Sequence, residues 1–291
     1  MPAADLATVL TIERDLMNDF ALDYNVLQYF NSYFYAEERR RFIEWMLHLL
    51  RRSGHDPDGL SILEAGVSTG EALRLLAEAG CRRLTGLDIA QRMLDQARQR
   101  VPFGRFILGS VEEHDFGNER FDVIIAGFTL HHMHDPGAFF DLARRVLQPG
   151  GWFFVIDYNA DGWENARWTK PFVHALAAPG RRLLKWKNRR ALARQPKNRL
   201  QFNPAHRLLT FREIVAAISP AEFTIVRRRT RGLFLPAFNY ALVQDSSIDH
   251  TVARILNTID RIAEPFGAGN LQWIAGRRYR TAVVPGAADD A

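Results

Sequence analysis

The sequence predicts an α/β protein built on a doubly wound, mostly parallel sheet. Three observations carry this. From Ser61 onward, short apolar runs alternate with amphipathic stretches of helical period. One run, "FDVIIAGF" at 121–128, is apolar without a break, as a strand covered on both faces has to be. The first run, "ILEAG" at 62–66, ends on a carboxylate and a glycine-rich turn, the arrangement with which a strand hands a ligand to the following helix.

The elements follow in order. Residues 1–55 read as helices, with Phe42, Ile43, Trp45, Met46, Leu49 and Leu50 at helical spacing in "ERRRFIEWMLHLLRR". "SGHDPDG" stops that helix with Gly and Pro. Then "SILEAG" is a strand and "GEALRLLAEAG" a helix, followed by the pair "RLTGLDI" and "AQRMLDQARQR". "RFILGS" and "FDVIIAGF" are further strands. "DPGAFFDLARRVLQ" is a helix with Asp135 as N-cap and Pro136 in its first turn, and "GWFFVIDY" is the fifth strand. Beyond a long basic stretch come a helix opened by Thr210, an edge strand "EFTIVRRRTRGLF", a helix with Val252, Ile255, Leu256, Ile259 and Ile262 on one face, and a last strand "LQWIAGRRY". A tail at 286–291 reads as disordered.

The 291 residues are 47% hydrophobic and 24% charged, enough for a large core. A single cysteine, Cys81, excludes an internal disulfide and a cysteine-based metal site, and points to a reducing, cytoplasmic setting. No apolar run reaches the roughly 18 residues of a membrane span, and the first residues lack a secretory signal pattern. The expected location is cytoplasmic or peripheral to a membrane. The net charge of +5 is uneven: between Asn165 and Arg212 there is no Asp or Glu.

The turn after the first strand excludes two common ligands. Its spacing is G-x-x-x-G (Gly66, Gly70), neither the dinucleotide fingerprint nor a phosphate loop. Glu64 beside it repels a pyrophosphate and suits a cationic amine. "ILEAGVSTGEALRLLA", "LTGLDIAQRMLDQAR", "FDVIIAGFTLHHMHDP" and "LARRVLQPGGWFFVIDY" together resemble, in order and spacing, the successive motifs of class I S-adenosylmethionine-dependent methyltransferases. The resemblance covers roughly residues 60–158. It implies a Rossmann-like seven-stranded sheet with an N-terminal helical lid at 1–55, a methyltransferase domain at 56–285 and a basic insertion at 159–209 after strand five.

It also implies residue roles. S-adenosyl-L-methionine is the cofactor and S-adenosyl-L-homocysteine the product. Gly66, Ser68 and Gly70 place backbone against the methionine part, with Glu64 near its amino group. Asp88 takes the ribose hydroxyls, or caps the next helix, or both. Ile89 and Met93 pack near adenine or ribose, Ser110 and Val111 border the adenine, and Phe128 lies beside the methionine part. Two positions depart from the family: Ser68 stands where a glycine is usual, and Ser110 where an aspartate accepts from the adenine amino group.

Methyl transfer from a sulfonium mainly needs alignment, and a hydroxyl acceptor also needs a base. His131 and His132, just past strand four, are the candidate catalytic residues. No metal is expected, because adjacent histidines should diverge and no carboxylate pair supports them. Asp157 and Tyr158, ending strand five, are candidate acceptor contacts, as are Tyr29 and Tyr33 in the aromatic stretch "LDYNVLQYFNSYFYAEE". The chain lacks the tetrapeptide and Pro-Cys signatures of base-methylating enzymes. The expected acceptor is therefore oxygen or carbon of a small, apolar or phosphate- or lipid-linked metabolite. The stretch 181–199 fits a solvated helix, a grip on such an acceptor at an anionic membrane surface, or a contact with nucleic acid. RNA or DNA methylation through 165–212, and a non-catalytic cofactor-binding homologue, stand as the alternative functions.

Overall fold

A computed structural model describes residues 5–21, 33–162, 167–190, 206–232, 238, 247–263 and 269–280. Tyr29, the tail at 286–291 and residues 191–205 of the basic stretch lie outside them, and the side chain of Tyr33 is not described.

The seven strands run in the order β3-β2-β1-β4-β5-β7-β6. They are β1 (Ser61–Ala65), β2 (Arg83–Asp88), β3 (Arg105–Leu108), β4 (Phe121–Gly127), β5 (Leu147–Tyr158), β6 (Phe223–Arg231) and β7 (Leu271–Arg278). The first five are parallel, and β7 enters antiparallel between β5 and β6. The described helices are α1 (Leu6–Phe20), α2 (Tyr33–Arg52), α3 (Glu71–Glu78), α4 (Gln91–Arg100), α5 (Gly137–Val146), α6 (Lys170–Lys187), α7 (Phe211–Ala217) and α8 (Ser247–Ala263).

Both faces of the sheet are covered, as the apolar run of β4 requires. Val123 and Ile125 join the cluster under α2 and α3, which includes Phe42, Met46, Leu50 and Leu73. Ile124 and Ala126 point the other way, into the cluster of Phe139, Phe140 and Leu142 from α5. Phe153, Phe154 and Trp273 are fully buried, each stabilising the fold by about 1.5–3 kcal/mol through burial. Gly276 is small for a packing reason: a Cβ there would come within 2.1 Å of the Phe153 ring lying across it.

Local chemistry sets the helix ends. Asp5 caps α1 by accepting from the Thr8 N–H at 2.8 Å. Thr210 and Glu213 form a reciprocal capping box at α7, confirming the start read from the sequence. α5 starts at Gly137, one residue later than a cap at Asp135 implies, but the Asp135 carboxylate still accepts from the Gly137 N–H at 2.8 Å.

The expectation for α8 is corrected. Val252 and Leu256 pack against the core as expected and the side chain of Ile262 is not described, but Ile255 and Ile259 are exposed, and the buried positions carry Asp249, Asn257 and Asp260. Cations from neighbouring elements explain the reversal. Lys187 reaches Asp249 at 2.7 Å, and Arg41 and Arg231 both donate to Asn257.

Arg231, at the end of the edge strand, also forms a two-armed ion pair with Glu38 of α2, both contacts at 3.1 Å. Glu38 is buried and burial raises its pKa in spite of the guanidinium. The pair ties the lid helix to β6. Removing one partner leaves a buried charge alone. Arg231→Met is expected to cost about 3–5 kcal/mol in chemical denaturation, and Glu38→Leu added to it to recover most of that loss.

Candidate active site

The carboxyl edge of the sheet gathers the residues singled out by the sequence. β1 delivers Glu64, whose side chain is buried and whose Oε2 has no hydrogen-bond partner. Desolvation pushes its pKa up to about 8, against the pull of Arg39 from α2. β2 delivers Asp88, also buried and pushed up to about 6, chiefly by desolvation. Asp88 accepts from the Ser68 N–H at 2.7 Å and the Ala90 N–H at 2.9 Å. Asp88 does not cap α4, whose N-cap is Ala90 with no side-chain bond, but closes a local turn at the helix entry, and each oxygen keeps a lone pair for a further donor.

The turn between β1 and α3 is strained where the sequence departs from glycine. Ser68 has φ +50°, a left-handed conformation that costs a serine about 1 kcal/mol or more. Gly66 and Gly70 sit at φ +74° and +80°. Their missing side chains also make room for protein. A Cβ on Gly66 would lie 2.5 Å from Thr129 Oγ1, and one on Gly70 would lie 2.9 Å from Ala97 of α4. The Thr129 hydroxyl donates to the Ala65 carbonyl at 3.1 Å, tying the tips of β4 and β1.

The corner between this turn and the tip of β3 is partly closed. Met93 is fully buried beneath Ser68, packed with Ala90 and with Ala21 after α1, while Ile89 stays half-buried. Met93 therefore supports the turn from below. Ser110 and Val111 are buried, and the Ser110 hydroxyl accepts from the Glu112 N–H at 3.0 Å. α1 holds this corner as a lid: Asn18 accepts from the Arg92 N–H at 3.0 Å.

On the acceptor side Phe128 is also left-handed, at φ +57°. Its ring packs 5.5 Å from Tyr35 of α2 and 5.6 Å from Tyr158 of β5, with the Arg39 guanidinium 5.8 Å above it. The aromatic stretch read from the sequence does reach the site, through Tyr35.

Asp157 turns inward. It is fully buried and bonds His131 Nδ1 at 2.6 Å, so it backs His131 and has no face for an acceptor. His131 is itself buried, and desolvation lowers its pKa. The expectation that His131 and His132 diverge is overturned. The tight turn at Leu130–His132 stacks their rings 4.1 Å apart, and His206 closes against both at 4.9 and 5.0 Å. Burial and the two neighbouring imidazoles push His206 down to about 4. Glu13 of α1 stands 3.0 Å from His132 Nδ1. Neither His206 nor Glu13 was marked by the sequence, since both come from distant segments with no local motif.

A seven-stranded sheet of this order is the class I methyltransferase fold. Solved structures of that fold superpose on the chain. A methyltransferase from Thermotoga maritima, described as a possible histamine N-methyltransferase, gives a TM-score of 0.57 at 16% identity, covering 94% of this chain and 100% of that one. Magnesium protoporphyrin IX methyltransferase from Synechocystis, solved with bound S-adenosylhomocysteine, gives 0.55 at 14%, covering 93% and 99%.

Residues 63–155 match the family described as methyltransferase domain. Demethylmenaquinone methyltransferase of Chlorobaculum tepidum is 31% identical over 96 residues, 33% of this chain and 40% of that protein. Malonyl-[acyl-carrier protein] O-methyltransferase of Serratia marcescens is 35% identical over 99 residues, 34% and 38%. The chain thus spans about two fifths of the length of these relatives. Residues 63–155 thus resemble a methyltransferase domain, set in a fold shared with solved S-adenosylmethionine-dependent methyltransferases.

The cofactor of that family fits the residues present. The orphaned Oε2 of Glu64 lacks the donor that an ammonium supplies, and Asp88 retains acceptor capacity for a pair of hydroxyls.

The raised pKa of Glu64 fixes a pH dependence. Below its ordinary 4.5, folded and unfolded chains both hold the proton and Glu64 is neutral to stability. Between 4.5 and about 8 only the unfolded chain releases it, so the folded state loses stability as pH rises. Glu64→Gln is expected to stabilise the cofactor-free protein at pH 8 by on the order of 2 kcal/mol. It should also flatten the pH profile of thermal melts and abolish cofactor binding.

Proposed function

We propose that the protein transfers the methyl group of S-adenosylmethionine to oxygen or carbon of a small, apolar acceptor drawn from an anionic membrane surface. The observation that carries the methyl-donor half is the buried, partnerless Oε2 of Glu64 one strand away from Asp88. A cationic amine and a diol on one ligand satisfy both carboxylates. The bound cofactor supplies an electrophilic methyl group. The protein contributes position: Glu64 and Asp88 fix the two ends of the cofactor, and Phe128, Tyr35 and Tyr158 wall the acceptor side without offering it a competing nucleophilic amine.

The acceptor class rests on two supports. The relatives' names, demethylmenaquinone and malonyl-[acyl-carrier protein] methyltransferase, are those of small or carrier-borne acceptors. The second support is α6. Phe172, Leu176, Leu183 and Trp186 are exposed on it, and Trp168, just before it, is 87% exposed. At 100° per residue, those four helix positions fall within a stripe about 80° wide. Arg182 borders the stripe along one side, and no acidic residue occurs from 165 to 212. An apolar stripe bordered by a cation suits the headgroup boundary of an anionic bilayer.

Two measurements test this reading. Calorimetry with S-adenosylmethionine at pH 7 is expected to show binding with release of close to one proton, because the ammonium ionises a Glu64 that is protonated beforehand. The heat should then vary with the ionisation enthalpy of the buffer, and Asp88→Ala should lose the binding. No heat at millimolar ligand removes the enzyme reading. In the second, the protein is expected to sediment with vesicles containing phosphatidylglycerol, less with pure phosphatidylcholine, and with neither once Phe172 and Trp186 are both changed to Glu. Salt-sensitive binding of a random oligonucleotide with no vesicle binding would favour nucleic acid as the substrate.

A further inference from the structure

Three imidazoles converge at the acceptor end of the sheet from segments far apart in sequence. His131 and His132 come from the turn after β4, and His206 from the segment that returns after α6. One ring nitrogen from each lies within 4.8 Å of the other two. Backbone contacts hold the third histidine to the first two. The Arg207 N–H donates to the His131 carbonyl at 3.1 Å, and the Ala160 N–H to the Leu209 carbonyl at 3.0 Å. Gln272 Nε2 donates to the same Leu209 carbonyl at 2.9 Å.

Two carboxylates stand behind the rings. Asp157 Oδ1 takes His131 Nδ1 at 2.6 Å, which places the ring proton on Nδ1 and leaves the lone pair on Nε2. Asp157 is itself fixed by the Tyr158 N–H at 2.7 Å. Glu13 Oε1 lies 3.0 Å from His132 Nδ1, within ion-pair distance but not aligned as a hydrogen bond, so the backing geometry is that of Asp157 on His131. A carboxylate behind a histidine that offers its other nitrogen is the arrangement that orients metal ligands.

We propose that His131, His132 and His206 form a binding site for one divalent transition-metal ion of the zinc class, with an open coordination position toward the acceptor. Three imidazoles select such an ion over magnesium or calcium, which prefer oxygen. Nitrogens bound tetrahedrally at 2.0–2.1 Å lie about 3.3 Å apart, so the rings close by roughly 1 Å or more when the ion enters. The His131 ring packs 4.8 Å from Tyr158, which places the site against the aromatic wall. The site stands on its own geometry, and only its role rests on the methyltransferase reading. In that role the ion lowers the pKa of an acceptor hydroxyl. The proton goes to solvent, the new O–CH3 bond forms as the S–CH3 bond breaks, and the sulfonium leaves as a neutral thioether.

The test uses the whole chain stripped of metal by a chelator and titrated with Zn2+ and, separately, Co2+. About one ion per chain is expected, with visible Co2+ absorption bands of a nitrogen-rich, low-coordinate centre and no competition from millimolar Mg2+. Asp157→Asn should weaken binding roughly 10- to 100-fold, and His206→Gln by at least as much. Glu64→Gln should leave metal binding intact while removing cofactor binding, so failure of either reading shows separately. Equal affinity in wild type and His206→Gln, or a wild-type protein that takes up no Co2+, overturns the proposal. If His206→Gln does not fold, the wild-type Co2+ spectrum decides alone.

Discussion

Glu64 and Asp88 are two carboxylates placed on the tips of neighbouring parallel strands, both out of water, with no guanidinium or ammonium bonded to either. Burying like charges side by side is costly, and the Asp88 carboxylate adds to the desolvation that raises the pKa of Glu64. Much of the surrounding architecture holds them there. Ser68 adopts a left-handed backbone so that its N–H can meet Asp88, and Gly66 gives up a side chain so that Thr129 can lock the tip of β4 to that of β1. The strain and the raised pKa values belong to one arrangement, two buried carboxylates held at neighbouring strand tips.

The N-terminal helices α1 and α2 pack over this edge of the sheet. α1 lies over the start of α4 through Asn18, and brings Glu13 to the histidines. α2 reaches the acceptor wall with Tyr35 and sets Arg39 over Phe128. The Glu38–Arg231 pair then fastens α2 to the far edge of the sheet, so the lid helix and the strand most distant from the cofactor move as one body. A buried ion pair contributes little net stability but specifies one geometry. Here that geometry is the angle at which the aromatic wall faces the donor.

The cofactor half of the site was legible in the sequence because it is local. Glu64, the turn and Asp88 lie within 25 consecutive residues, and the apolar run of β4 places them at the centre of the sheet. The acceptor half was not. His206 meets His131 only because the chain leaves β5 at Asn159 and returns beside it at Leu209, a pairing that no periodicity encodes. α8 misled for a related reason. Its isoleucines suggest a buried face, but the cations Arg41, Lys187 and Arg231 on three other elements pull its polar face inward instead. Asp157 ends its strand as read, but the expected contact with an acceptor gives way to one with His131, a partner 26 residues away that captures the carboxylate.

The bridge between Asn159 and Leu209 has a structural consequence for how such a fold accommodates different acceptors. The segment it encloses begins and ends at the same point on the sheet, so α6 can vary in length, charge and exposed apolar surface without moving any strand. The residues at its two ends are not free to vary in this way. Asn159 and Leu209 are buried, and Gln272 on β7 bonds the carbonyl of Leu209. His206, three residues before that anchor, is therefore held at a fixed distance from β4 whatever the excursion carries. The fold separates a clasp fixed by buried contacts from an arm whose length and surface can change without disturbing it.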